Sequence, residues 1–538
     1  MTSKIVSIVS IASIASITSI ASIASIVPIE AQAQEGKYRF ADATQLWRLT
    51  DNAAGLTIDA GATRNYNRGF AEFDMQHREG DYRRVQEGGQ RNQLTFHTER
   101  YQRVGHHLVG YGKFHFDMDR TKDRAWCDVM RPYNSNPFFG GSSVHGKYDT
   151  QQFDLTAALG TFDYSGFRFG SRLDYKVGDL SRLRDPRSRS ELLQYRLTPA
   201  VTYTTGNHTI GLSGHYDRRK EKIPNITTVQ QDPNLMYYQM TGMEQATGLI
   251  GGFSGYNREW VNHQFGAQLA YGYNKTQLSS ASSQFSRLSS LTTIGIARGV
   301  EDVWGTYKYE PGRYTSYIYN VASHNRLNTG RLLHQLDLDI AFTKGYADEY
   351  RQLLIQERDA EKGYTSYHYE TQIEYRKRYQ VKTHDATLHY RLSTLSGTAI
   401  RGYVGAAATL QGASNKHLLP TSQLEYQRQN FSFESGYAFF KNHLWLDATV
   451  TYSHASKADI DIATPQMASN TYASEVLIPD MAYYGADYWR GQLSLKYEFP
   501  FMLKGARSTA FVKAYADGIK ADDELDRTTV GLSLGLYY

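Results

Sequence analysis

The sequence predicts an all-β chain, a single transmembrane antiparallel β-barrel of about 16–18 strands with long extracellular loops and short periplasmic turns. Three observations carry this expectation. Aromatic residues are abundant, with 42 Tyr, 23 Phe and 6 Trp beside 45 Gly, yet mean hydropathy is only -0.54. Large apolar area is therefore available, while a bundle of membrane helices, each needing about 20 apolar residues, is excluded. Segment after segment alternates apolar and polar side chains, the two-residue period of a strand. The last segment keeps this alternation to the carboxyl end and finishes on an aromatic.

Taken in order, residues 1–33 read as a secretory signal. Lys4 precedes an Ile/Ala/Ser/Val run from Ile5 to Ile29, and Ala31-Gln32-Ala33 supplies the small-x-small cleavage site. The serines of the run and the lack of a following basic cluster argue against a permanent anchor helix. Residues 34–53 are then a short periplasmic segment, in which Leu46 and Trp47 need burial and could find it in the lumen. Residues 54–538 form the barrel. In a barrel of this kind, added strands widen a lumen instead of enlarging one core, so a chain of 538 residues can remain one unit.

Strand signals are clearest in three places. Phe167, Phe169, Leu173, Tyr175 and Val177 alternate with Arg168, Arg172, Asp174 and Lys176. Leu332, Leu336, Leu338, Ile340 and Phe342 alternate with Gln335, Asp337 and Asp339, and Tyr367, Tyr369, Ile373 and Tyr375 with His368, Glu370, Glu374 and Arg376. Connections sort by length. Those at Val104-Gly105, Thr204–Asn207 and Lys441–His443 are short, while Asp119–Lys147, Gly178–Ser190, Asp217–Tyr256 and Ala455–Tyr484 read as long. Short turns on one rim and long loops on the other are the habit of outer-membrane barrels, which also have an even strand number. Parity fails to close between Lys344–Gly363, read as an outer loop, and the carboxyl end; Lys275–Asn328 is also ambiguous, with a Ser-rich start and a turn at Glu310-Pro311-Gly312. Trp260 and Trp489 beside long loops, and Trp445 beside a short turn, suit two interfacial aromatic girdles.

The final strand carries Val530, Leu532, Leu534, Leu536 and Tyr538 on one face. Such a ladder would invite aggregation in water and is an ordinary outer wall in lipid. It resembles the terminal signal that outer-membrane proteins present to the barrel-assembly machinery. Other short motifs echo families. Asn52-Ala53-Ala54-Gly55-Leu56 is similar to the opening of long-chain fatty-acid transporter barrels, with Ala53 at the usual proline. Leu46-Trp47, the Asn52–Leu56 opening, Trp126, Asn136-Pro137-Phe138 and Asp185-Pro186-Arg187 together resemble an uncharacterised family of outer-membrane barrels of the Bacteroidota, accessories to TonB-dependent uptake systems. That resemblance implies a non-enzymatic barrel with a TonB-dependent transporter or a surface lipoprotein as partner. About twenty residues before the first strand are too few for the plug of a roughly 22-strand transporter.

Candidate functional residues fall into two groups. Arg168, Arg172, Asp174, Lys176, Asp337, Asp339, Glu370, Glu374 and Arg376 are expected to line the lumen with mixed charge, which favours no single-sign selectivity. Met236, Tyr237, Tyr238, Met240 and Met243 in one long loop suit an adaptable partner contact, or an inward constriction. Arg182, Arg184, Arg187 and Arg189 in another could grip phosphates of lipopolysaccharide, with Asp179 and Asp185 partly offsetting them. A net charge of +5 without a basic tract gives no support to nucleic-acid binding. Cys127 is the only cysteine, so neither a disulfide nor a cysteine metal site is expected. No cofactor motif and no catalytic constellation stand out. The expected function is a channel or uptake component for a small or hydrophobic solute in the outer membrane of a Gram-negative bacterium, among its lipid and lipopolysaccharide. The alternative is a non-conducting accessory subunit that docks a partner through its loops.

Overall fold

A computed structural model describes residues 33–60, 67–229, 235–250, 256–278, 285–358, 363–463, 471–503 and 506–538. The signal segment, 1–32, lies outside the described residues. Eighteen long strands form one antiparallel sheet that closes on itself. They are β1 (Asn67–Gly80), β2 (Gln90–Val104), β3 (Leu108–Arg124), β4 (Gly146–Thr161), β5 (Phe167–Arg182), β6 (Arg187–Thr205), β7 (His208–Ile223), β8 (Arg258–Leu278) and β9 (Phe285–Gly305), followed by β10 (Gly312–Asn328), β11 (Leu332–Arg358), β12 (Thr365–Ser396), β13 (Ala399–His417), β14 (Ser422–Phe439), β15 (Leu444–Asp461), β16 (Tyr488–Leu503), β17 (Ala506–Ala521) and β18 (Asp526–Tyr537). Each pairs with its sequence neighbours, and β18 pairs back onto β1 from Phe70↔Tyr537 to Gly80↔Arg527, which closes the wall on itself.

The even count resolves the parity that sequence reading left open. β8, β9 and β10 divide Lys275–Asn328, and Glu310-Pro311-Gly312 is the outer turn between β9 and β10. Two expectations are corrected. Lys344–Gly363 is not a loop, because β11 continues to Arg358. The barrel begins at Asn67 rather than at 54: Ala53–Gly55 and Leu56–Ala60 are short helical turns. Asn52 makes the first of these by accepting the Ala54 N–H at 3.1 Å, so local capping outcompetes extension there.

Register settles which face is which. Phe169, Leu173, Leu212, Leu269, Ile294, Phe431, Leu493 and Leu534 stand exposed on the outer surface, while their sequence neighbours turn inward. All five residues of the terminal ladder share the outer face, since Ser533, between Leu532 and Leu534, donates inward to Asp74 at 2.6 Å. The strands next to short turns and to both termini define one rim; the loops 125–145, 224–257 and 462–487 belong to the other. No helix among the described residues is long and apolar enough to cross a membrane.

β11 and β12 overshoot their neighbours. β10 pairs with β11 only as far as Glu349, and β13 pairs with β12 only from Tyr379. Beyond these points the two strands pair only with each other, as a hairpin that rises above the loop rim and rests on the 306–311 turn. There the Glu310 N–H donates to Gln352 at 2.7 Å and the Tyr350 N–H to the Pro311 carbonyl at 2.9 Å, and the Tyr307 and Tyr309 ring centres lie 5.9 and 5.1 Å from those of Tyr367 and Tyr369. Glu370, Glu374 and Arg376 therefore do not line the lumen. They are exposed on this hairpin, and no inner face exists at their height.

Candidate functional site

The polar inner faces of the strands enclose a lumen that packed chain segments enter at both ends. At the short-turn end, the chain ahead of β1 folds into it. Helix α1 (Glu35–Thr44), the turns Leu46–Leu49 and Ala53–Gly55, and helix α2 (Leu56–Ala60) touch strands around the whole circumference. That is possible only from within. The Gln34 and Glu35 N–H groups donate to Glu498 of β16 at 2.7 and 2.8 Å. The Glu35 carboxylate accepts from Lys496 at 2.7 Å and from the Tyr537 hydroxyl of β18. Arg39 forks onto Asp447 of β15 at 2.7 and 2.8 Å, with its guanidinium 4.2 Å from the Trp445 ring centre. Across the lumen, Asp51 pairs with Arg172 of β5 at 3.0 Å and Arg196 of β6 at 3.2 Å. Arg48 lies over the Tyr101 ring of β2 at 3.7 Å, and Arg326 of β10 donates to the Ala43 carbonyl at 2.6 Å.

Space for this segment comes from glycines on inward-facing strand positions. A Cβ at Gly170 of β5 would overlap the backbone of Ala53 and Ala54, one at Gly160 of β4 the Ala53 carbonyl, and one at Gly211 of β7 the Trp47 ring. Trp47 itself is buried with Leu46, Ala270 and Leu291. Sequence reading missed these glycines as a group. The available signal was their parity: each sits on the polar face, a few residues from a short turn.

Around and above the segment, mixed-sign pairs line the wall. Arg172 binds Asp174 at 2.9 Å, Lys176 lies 3.5 Å from Asp154, and Arg168 donates to Thr204 at 2.8 Å. On the opposite side Asp337 accepts from Arg326 and meets His324, each at 2.7 Å, with Asp339 3.8 Å from the same imidazole. These six sequence-predicted residues are lumenal, but in two separate patches, and none meets Glu370, Glu374 or Arg376.

At the loop end, a second closure has its own apolar core. The 224–257 loop supplies strands Met236–Gly242 and Gln245–Ile250, which pair into a small sheet with Gly140–Gly141. Tyr237, Met240 and Met243 are buried there among Trp126, Phe138, Trp260, Tyr472 and Leu477. Met236 and Tyr238 belong to the same sheet, Tyr238 with its ring centre 4.4 Å from that of Trp126. Of the two expectations for the Met/Tyr loop, the partner-facing one is corrected and the inward one matches: these side chains hold the loops to one another because each buries more apolar surface inside the mouth than in water. A cavity of about 60 Å³ remains beside Tyr133, Met240, Tyr379, Tyr472 and Asp480. Asp480, on helix α3 (Ile478–Gly485), accepts the Val85 N–H at 2.7 Å, and burial pushes its carboxyl up to about 7.

The arginine cluster is corrected as well. Arg182 is 2 % exposed and spends its guanidinium on Tyr148, the Val144 carbonyl and the Arg184 carbonyl. Arg184 donates to the His145 carbonyl, Arg187 to Asp185 and Arg189 to Asp179. These bonds tie loops down, and no four-arginine grip exists. Of the three girdle tryptophans, only Trp489 faces outward; Trp260 and Trp445 are buried inside. Cys127 is buried, its thiol pushed up by desolvation. Among the described residues no group of three or more His, Cys, Asp or Glu is placed to hold a metal ion.

The closed eighteen-strand sheet with an occupied lumen defines a β-barrel of the membrane-spanning type. The chain belongs to a family of unknown function, DUF6850, whose model matches residues 53–538. No curated protein matches it. Solved structures similar to it include the ferric-catecholate import receptor Fiu from E. coli K12, with 9% identity, 87% of this chain and 81% of that chain covered and a TM-score of 0.35. The FrpB iron transporter from Neisseria meningitidis, F5-1 variant in its apoprotein form, gives 9%, 91%, 83% and 0.37, and Acinetobacter baumannii OccAB4 gives 8%, 89%, 100% and 0.35.

Proposed function

We propose that this chain is an outer-membrane barrel of a Gram-negative bacterium that works as a gated uptake channel for a small solute, shut at rest. The observation that carries this reading is the character of the seal formed by residues 34–60. Ion pairs and hydrogen bonds, groups that water can replace at modest net cost, hold it to the wall between three small and separate apolar clusters around Ala43, Trp47 and Leu56, with no continuous apolar core. A seal of that kind is releasable. The mixed-sign lining above it suits a small polar solute and gives no preference for one sign of charge. The test is planar-bilayer conductance of the mature chain with and without residues 34–60. The intact chain should be almost silent and the truncated chain should carry steady current; silence from both would overturn the channel reading.

The protruding hairpin favours a second reading, an accessory subunit that docks a transporter or surface lipoprotein. Leu353, Leu354, Tyr364, Tyr367 and Ile373 are exposed on it. Past Glu349 and before Tyr379 neither outer edge pairs with another barrel strand, and the part that the 306–311 turn does not cover suits strand addition by a partner. Co-purification in mild detergent that is lost on deleting 351–376 would support this reading, and identical partners with and without the hairpin would end it.

A further inference from the structure

We propose that the lipid-facing surface of β2–β5 near the short-turn rim is a seat for the headgroup of one phospholipid, its phosphate held by Arg100. The proposal rests on the barrel spanning a bilayer and goes beyond its role as a channel. A groove of about 530 Å³ crosses these strands. Register places two adjacent rows in it: Arg100↔Gly112, Gly112↔Ala157 and Ala157↔Leu173, and below them Gln102↔Gly110, Gly110↔Leu159 and Leu159↔Ser171. Both rows face outward, because Tyr101 and Tyr111, which lie between them, pack toward the N-terminal segment. Gly110, Gly112 and Ala157 have almost no side chain. One row further from the rim the wall is bulky again, with Phe114 and Leu155, and Phe116 and Phe153 beyond them. The dent is therefore local and lies within two rows of the Val104–Leu108 turn, at headgroup depth.

Its chemistry is that of an anionic, hydrogen-bonding group. Arg100 is exposed on the lipid side, donates to the Asn67 side-chain oxygen at 3.3 Å and lies 5.5 Å from the Tyr538 ring centre. Among the described residues it has no carboxylate partner. A guanidinium facing lipid is costly unless an anion meets it, and its planar fork matches phosphate oxygens. Gln102, one row nearer the rim, adds a neutral polar side chain on the headgroup side of the phosphate, and Ser171 lies three strands away at the far end of the groove. Ordinary acyl chains would be served equally well by the Leu and Phe side chains that cover the rest of this face.

Native mass spectrometry of the detergent-purified mature chain, with palmitoyl-oleoyl phosphatidylglycerol added, tests this. Dioleoylglycerol, which lacks the phosphate, serves as the comparison. The wild type should retain one phosphatidylglycerol through delipidation and should not retain dioleoylglycerol. R100Q and the groove-filling A157F should each lower that occupancy at least threefold, while L269F, outward on β8, should leave it unchanged. Heat-modifiable migration confirms that each variant is folded; a Gly112→Ala variant, whose added Cβ meets nothing within 4 Å, checks that small changes are tolerated. Equal occupancy in all variants would overturn the seat. So would equal retention of the two lipids, or a dimer in the wild type that A157F dissociates, which would mean that a second copy covers the groove.

Discussion

Arg39→Gln probes the seal at its most heavily bonded point. The side chain loses a two-pronged bond to Asp447 at 2.7 and 2.8 Å, an ion pair to Glu35 at 2.7 Å and a stack on Trp445. Side-chain exposures of 24% and 18% for the Arg39–Asp447 pair place it between a surface bridge of about 0.2–1 kcal/mol and a fully buried one, where removing a partner costs about 3–5 kcal/mol. About 2 kcal/mol is a fair intermediate, and the cation–π contact adds about 1 kcal/mol. A loss near 3 kcal/mol weakens closure by about two orders of magnitude. The open probability of single channels in a planar bilayer should then rise about 100-fold, up to the ceiling set by the truncated chain. R39D/D447R, which restores opposite charges, should recover part of the closure, and the double-mutant cycle isolates the coupling. If R39Q stays as silent as the wild type while truncation of 34–60 opens the pore, the polar anchorage of α1 is not what keeps the lumen shut.

Other predictions follow from the same geometry. Gly170→Val, which places a side chain where Ala53 and Ala54 lie, should leak like the truncated chain, whereas Gly112→Val on the lipid side should not; equal conductance of the two would contradict the inward placement of Gly170. Asp480 titrates near 7 in the folded cap and near 3.8 when unfolded, so the native state binds the extra proton between those values. Cap stability should accordingly fall as pH rises from about 4 to 7 and stay low above it. Proteolysis of the loops should be slower at pH 5.5 than at pH 8.5, and D480N should flatten the difference; a rate that falls with pH would refute the assignment. Cys127 should react with a maleimide only after unfolding, and fast labelling of the native barrel would show that the cap is open.

Much of the wall was legible because a strand declares its two faces in its sequence. Phe167–Lys176 and Val530–Tyr538 could be sorted by parity alone. The same parity would have corrected the tryptophans: Trp445 shares a face with Asp447 and Trp260 with Asn262 and Gln264, while Trp489 shares one with Leu493 and Leu495. Nearness to a turn says how deep a ring sits, not which way it points. Alternation also does not say where a strand ceases to have neighbours, which is why Glu370, Glu374 and Arg376 were assigned to a lumen that ends below them. The fate of the long loops depended on contacts between segments far apart in the chain. Trp126 donating to Glu475 at 2.8 Å, and Arg182 spending itself on Tyr148, leave no local pattern to find.

The central claim is that apolar faces meet lipid while charged faces enclose a lumen, and spin labels read it directly. In a C127S background reconstituted in vesicles, labels at Leu173, Leu493 and Leu532 should be accessible to oxygen and shielded from a water-soluble nickel chelate. Labels at Asp174, Gln492 and Ser533, one residue away in each case, should be shielded from oxygen. Indistinguishable oxygen accessibility within each pair would contradict the membrane-spanning barrel.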